Sequence, residues 1–394
     1  MDTSNHGRDI PLGYLRAFLV LLVVAHHALL AYCSYAPPPG ASLDEGPMLW
    51  SAFPVVDPQR WKFADLLVGF DDTFFMALMF FVSGLFLWPS LARKGAGLFL
   101  WGRVLRLGLP FIVAAGVLAP LAYYPSYLAT GAHSPFWTQW FALSAWPAGP
   151  AWFLWVLLAF DTVAALVTRF APDWGVGLGR AQSRLCGRPI ACFLLLLAVS
   201  ALAYMPLAAV FDPSRWLSFG PFFLQTSRVL NYALYFCAGA VVGAHGLQRG
   251  ILAADGKLAR RWPLWIGASV LAFVIAVIAL FSILASLAQG GPGPLLGGFG
   301  NFAFVLSCAA SSFACLAVFL RFARHANPIA DSLSANAYGI YLCHYVCVTW
   351  LQFQLLPAPL PAALKALLVF VGAVALSWSL SSVLRRIPAL RRVI

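Results

Sequence analysis

The chain has 394 residues, of which 62% are hydrophobic and only 10% charged. Soluble domains run at about 45–50% apolar and about 25% charged, and most of a folded surface must tolerate water, so a water-soluble fold is excluded. The net charge of +12 would suggest nucleic acid in a soluble protein. Here the basic residues sit in short loops between apolar runs, and membrane topology explains them better.

A spanning helix needs about 20 predominantly apolar residues. Such runs occur at 11–34, 66–90, 104–128, 149–170, 190–211, 225–247, 263–288, 298–321, 333–356 and 362–385. The first is longer than a signal-peptide core, contains His26 and His27, and is expected to stay in the mature protein. The second and sixth are the least clean, since one carries Asp71 and Asp72 and the other Arg228. Between the first two runs, residues 36–63 form a Pro-rich stretch with Trp50 and Trp61, expected to lie over the outer face as an irregular cap.

With the amino terminus inside, the inner loops and helix ends hold Arg8, Arg93, Lys94, Arg103, Arg106, Arg169, Arg180, Arg184, Arg188, Arg249, Lys257, Arg260, Arg261, Arg321, Arg324, Arg385, Arg386, Arg391 and Arg392. The outer side holds only Arg60, Lys62, Arg215, Arg228 and Lys365. The pattern predicts an all-α, polytopic transmembrane bundle of about ten helices with both termini cytoplasmic. No soluble domain, repeat or low-complexity tract is visible, so residues 1–394 read as one domain. The eight cysteines include no CxxC pair and lie mostly inside apolar runs. They read as small packing residues, and no metal-ligand set is expected.

Ionisable groups at membrane depth are costly, by at least about 2.5–3.5 kcal/mol at a helix centre, and survive where they face a partner or a polar cavity. The set here is Arg16, His26, His27, Asp71, Asp72, Asp161, Arg228 and His344. At 100° per residue His27 falls only about 20° off the face of Arg16, with about 16 Å between them along the axis. His26 stands about 80° from Arg16. One wet stripe with a cation near the inner mouth and an imidazole past mid-membrane follows. The cation suits an anionic substrate, and a neutral imidazole can take a proton from a hydroxyl; a snorkelling arginine beside two packing histidines is the plainer reading. Tyr341 and His344, three apart, share a face. Adjacent Asp71 and Asp72 diverge by about 100°, so one could face a cavity or orient an imidazole. Arg103 and Arg106 ahead of Pro110 could hold phosphates, and Ser83-Gly84 would permit close helix packing.

Taken together these fragments resemble the acyltransferase 3 family of integral membrane acyltransferases. The resemblance rests on Leu15-Arg16 with ten residues before His27, Phe80-Phe81-Val82-Ser83-Gly84, Arg103-Val-Leu-Arg106 ahead of Pro110, Trp152-Phe-Leu, and Tyr338-Gly-Ile-Tyr-Leu-Cys-His344. It implies transfer of an acyl group, usually acetyl or succinyl, from an acyl-CoA-type donor to a hydroxyl of a carbohydrate or related cell-envelope acceptor, in a bacterial-type inner membrane. No bound cofactor is implied. Arg16 and His27 are the functional pair that the resemblance implies, and Asp72 and His344 join them as candidate catalytic groups. Arg103, Arg106, Ser83, Tyr341, Asp71 and His26 are the candidate substrate-binding residues. Two departures stand out: His26 precedes His27, and an Asp71-Asp72-Thr-Phe-Phe stretch precedes the Phe-Phe-Val-Ser-Gly segment. The alternative is a proton-coupled transporter of a small anion, with His27, Asp71 and Asp72 as relay and Arg16 as anion site; internal repeats that often mark transporters are not seen.

Overall fold

The computed structural model describes residues 9–38, 52–131, 134–171, 174, 177, 187–213, 215–391 and 393. Arg8, Pro39, Pro47, Trp50, Arg180, Arg184, Cys186 and Arg392 lie outside the described residues. The chain is an α-helical bundle. Its long elements are α1 (Ile10–Leu30), α2 (Lys62–Asp72) continuing after a break into α3 (Phe75–Leu85), and α4 (Leu87–Thr130). The short α5 (Phe136–Ala142) precedes α6 (Gly149–Phe170) and α7 (Pro189–Val210). After them come α8 (Val229–His245), α9 (Trp262–Leu287), α10 (Pro294–Phe322), α11 (Pro328–Leu355) and α12 (Ala362–Leu384).

Each of the ten apolar runs falls on a helix. Among the described residues, eight helices are long and apolar enough to cross a membrane, or nine if α8 and the turns that follow it, bent by 86°, count as one span. The difference from ten lies in α11. Its 28 residues suffice in length, but Asp331, Asn336, His344 and Gln352 dilute its apolarity. It packs beside α1 and α12, and its middle stretch is largely buried among protein rather than lipid, where such residues find partners.

Direction alternates along the chain. Phe18 of α1 meets Phe319 of α10, Tyr204 of α7 meets Phe304, and Trp262 of α9 meets Phe322, so each of these neighbours runs against α10. By contrast α1 and α11 run parallel: Ser334 Oγ donates to the Gly13 carbonyl near their starts, and Gln352 Nε2 donates to the His27 carbonyl toward their ends. The arrangement gathers Arg93, Lys94, Arg103, Arg188, Arg324 and Arg385 at the end where α1 begins. The opposite end carries segments that lie between the apolar runs. There a two-stranded hairpin, Trp216–Phe219 with Phe222–Gln225, turns on Gly220-Pro221. Gly220 sits at φ 55°, as the first central position of such a turn demands, and proline's fixed φ suits the next. At the same end Lys365, expected as an outer-side cation, is buried at 1% exposure and bonds Asp57 at 2.7 Å. The Asp57 N–H reaches the Ala31 carbonyl. This part of the Pro-rich stretch is thus clamped between the end of α1 and the start of α12.

A close helix approach joins α3 to α8. A Cβ on Gly239 would come within 2.0 Å of the Phe81 carbonyl oxygen, one on Gly243 within 2.0 Å of the Leu85 oxygen, and one on Gly84 within 2.1 Å of the Phe236 oxygen. Without side chains these backbones touch, the small-residue mode of membrane helix packing. Gly239 and Gly243 stand four apart, the Gly-x-x-x-Gly spacing that suits such a seam. Gly239→Ala should cost about 1–3 kcal/mol through overpacking and lower the melting midpoint of detergent-solubilised protein. Gly97→Ala, where the added methyl meets open space, should not lower it. Fluorescence melts of the two variants check this, and equal midpoints would show the seam to be looser than its backbone contacts require.

Candidate active site

A cavity of about 520 Å³ opens toward the hairpin end of the bundle. α1 supplies Val23, His26, His27 and Leu30; α2 and α3 supply Val68, Asp72 and Phe75; the start of α6 supplies Gly149 and Trp152; α8 supplies Tyr232; and α11 supplies Tyr341 and Tyr345. Trp216, Phe223 and Gln225 of the hairpin complete the wall. The hairpin is fixed in place, since Trp155 Nε1 donates to the Phe223 carbonyl and the Trp146 N–H to the Gly220 carbonyl. Gly149, at φ 55°, lets the chain enter α6 against the Tyr345 ring, which a Cβ would meet at 2.9 Å.

The adjacent carboxylates diverge to two partners. Asp71 Oδ1 lies 2.8 Å from His26 Nδ1, both side chains being largely buried. Asp72 takes a bidentate pair from Arg228, at 3.0 and 2.7 Å, and its carbonyl takes a third bond at 3.1 Å. The guanidinium also stacks over Phe304, 4.6 Å from the ring centroid. The two unclean runs are therefore unclean for one reason: each holds half of an ion pair that joins them. Arg228, carried in the intramembrane set without a site role, is the missed member of this site.

Beside His26 stands His27, its ring 5.3 Å from that of His26 and 4.9 Å from Tyr345. Its backbone is held by Gln352, which donates to the carbonyls of His27 and Ala28. Both histidines line the cavity, so the helix-face argument does not separate them. His344 lies behind His27, fully buried, with its ring 5.4 Å away. Tyr341 lines the cavity and donates its hydroxyl to the Pro150 carbonyl at the start of α6.

The remaining candidates are elsewhere. Arg16 is exposed toward the basic end and does not line the cavity. Val20 and Val23, between Arg16 and His27 on that stripe, are 3% and 2% exposed. The single wet stripe expected from spacing is thus interrupted by packed valines. Ser83 does not line the cavity; its hydroxyl donates to the Met79 carbonyl of its own helix. Arg103 lies 3.1 Å from buried Asp161 of α6. Arg106 is exposed on a π-helical turn, Val104–Gly108. Pro110 has no N–H for the Arg106 carbonyl four residues back, and Tyr338 of α11 donates its hydroxyl there instead. Pro125 likewise leaves the Leu121 carbonyl to Trp350 Nε1, at 3.0 Å.

Residues 11–382 match a family described as an acyltransferase domain, acyltransferase 3. The chain belongs to the acyltransferase 3 family. It is a membrane-embedded O-acyltransferase, and the family-wide match spans every element of the bundle from α1 into α12. No curated protein and no solved structure matches the chain.

Removing one member of the Asp72–Arg228 pair leaves the other charge without its partner. For a fully buried pair this costs about 3–5 kcal/mol; less is expected here, because the Asp72 side chain is 43% exposed to the cavity. Arg228→Gln should lower the melting midpoint, and adding Asp72→Asn to it should recover part of the loss. A double-mutant cycle of melts in nanodiscs measures the coupling, and a double variant no better than the single one contradicts the pairing.

Proposed function

We propose that this acyltransferase takes an acetyl- or succinyl-type acyl group from an acyl-CoA on the cytoplasmic side and delivers it to a hydroxyl of a carbohydrate or related cell-envelope acceptor held in the cavity. The observation that carries the reading is one cavity holding two imidazoles, one tied to a carboxylate at 2.8 Å, in a chain of an acyltransferase family. The concentration of arginine and lysine at the opposite end supports a cytoplasmic location for that end and for both termini, in a bacterial-type inner membrane.

In this reading the donor approaches from the basic end. Arg16 and Arg106, both exposed there, meet its phosphates, and the acyl thioester reaches past Val20 and Val23 into the cavity. Aromatic walls, with Trp152, Trp216, Tyr123 and Tyr232 among them, suit the apolar faces of a sugar, while Gln225 and Tyr341 offer polar contacts. His27 takes the proton of the acceptor hydroxyl as its oxygen attacks the thioester carbonyl carbon. The carbon–sulfur bond then breaks, and the proton passes to the leaving sulfur. His26, oriented through Nδ1 by Asp71, presents its other nitrogen to the reacting groups. Asp72, held by Arg228, fixes the wall beside them.

Membranes carrying the chain, given acetyl-CoA with a labelled acetyl group, should transfer label to envelope glycan. His27→Ala should lower kcat by about 10²–10⁴-fold, the typical range for a lost general base, with His26→Ala and Asp71→Asn milder. Arg16→Ala should raise the KM for donor with kcat retained, the mark of lost uniform binding. Equal losses in the His26 and His27 variants would remove the base role from His27 alone. Solute uptake into liposomes without acyl transfer would overturn the whole reading.

A further inference from the structure

His344 is buried at 0% exposure and does not line the cavity. Its Nδ1 lies 2.6 Å from the Tyr341 carbonyl oxygen, three residues back on α11. A carbonyl oxygen only accepts, so Nδ1 carries the hydrogen, and in the neutral ring Nε2 is left as an acceptor. That Nε2 is buried and has no hydrogen-bond partner in the structure. The adjacent ring is His27, 5.4 Å away between centroids and tilted by 32°. Its Nδ1 is likewise buried and without a partner. Two unsatisfied ring nitrogens, both buried and one necessarily an acceptor, thus belong to neighbouring imidazoles. A buried polar atom left unpaired costs about 1–3 kcal/mol, so a small rotation that joins them is favoured. Hydrogen bonds of this kind often tighten only when substrate is bound.

We infer that His344 is a positioning residue that holds His27 in the tautomer with hydrogen on Nδ1. The chain runs from the Tyr341 carbonyl to His344 Nδ1–H, and from His344 Nε2 to His27 Nδ1–H. His27 Nε2 is thereby kept as the lone-pair nitrogen, the one able to take a proton from a hydroxyl. A backbone carbonyl fixes one imidazole, and that imidazole fixes the next, as outer partners fix the tautomer of a working histidine elsewhere. The inference deepens the proposed reaction and rests on it for its catalytic meaning, whereas the tautomer itself stands on geometry alone.

Nitrogen-15 solid-state NMR of ring-labelled histidine in bilayer-reconstituted protein reads the tautomer without turnover. The His27 signal is assigned as the one lost in His27→Gln. Hydrogen on His27 Nδ1 is expected in the native chain and in His344→Gln, whose amide oxygen can accept, with a shift toward hydrogen on Nε2 in His344→Leu. In the transfer assay His344→Leu should lose ~10–100-fold in kcat, the usual effect of removing such a partner, with KM for donor and acceptor little changed and activity regained in His344→Gln. Hydrogen on His27 Nε2 in the native chain overturns the inference even if every variant fails to fold. An unchanged kcat in a folded His344→Leu overturns it too. Because the spectrum needs no reaction, failure of the tautomer and failure of the proposed chemistry are read separately.

Discussion

A carboxylate inside a bilayer must find a partner within the protein, and this chain places two of them at adjacent positions. One helical step between Asp71 and Asp72 turns their side chains toward different neighbours, His26 on α1 and Arg228 at the start of α8. The single segment 71–72 therefore joins three parts of the bundle at one level of the membrane. The helix breaks immediately afterwards, where the Thr73 hydroxyl donates to the Phe70 carbonyl and contacts Ser307 of α10. Below the break the chain changes character: α3 carries no charge and presses bare backbone against α8. Ion pairing sets the upper half of the α3–α8 neighbourhood and glycine contact sets the lower half. The cavity occupies the upper half, where the chain supplies polar groups in pairs.

α11 organises the other wall. It is the least apolar of the long helices, and its polar residues are assigned one by one to other elements. Asn327 caps its start and the Asn327 N–H meets the Tyr14 hydroxyl. Gln352 holds α1 at His27, and Ser381 of α12 bonds Asn336 at 2.9 Å. Tyr338 and Trp350 take the two carbonyls that Pro110 and Pro125 release in α4. Proline in a membrane helix is tolerated where a neighbour re-satisfies the freed backbone, and here both neighbours are on one helix. This gives the part of α4 that runs on from its kink at Gly95 (φ 73°) to Thr130 a fixed register against the face that carries Tyr341 and Tyr345.

The bundle was legible in the sequence because hydrocarbon imposes a coarse rule: long apolar runs, with basic residues between alternate pairs. The residues at odds with lipid were legible for the same reason, and most of them do meet at or around one cavity. What the spacing could not supply was partner choice. The helix-face argument put Arg16 and His27 on one side of α1, but a stripe on one helix says nothing about what neighbouring helices press against it. Val20 and Val23 fill that stretch because α1 is enclosed by α3, α10 and α11. The same limit hid Arg228, whose role depends on α2 and α8 meeting, and the hairpin, whose only sequence mark was Gly220-Pro221 in a loop. His26 and His27 also stayed unresolved, since a cavity wall is wider than one residue and both rings reach it.

The separation of Arg16 from the histidines has a physical logic. The proposed reaction joins a donor from one side of the membrane to an acceptor on the other, and it must bring reacting atoms together without leaving a continuous aqueous path, through which protons and ions would leak. A full-length wet channel would satisfy the chemistry and fail that requirement. The bundle instead exposes its cation at the basic end, opens its cavity at the other, and leaves buried Val20 between them, with Val23 at the cavity wall. In the reaction proposed above, the slender thioester arm of the donor would displace such packing locally, whereas hydrated ions would not cross it. The layer that breaks the expected stripe is thus compatible with acyl transfer, and it argues against a conducting pathway along the same face of α1.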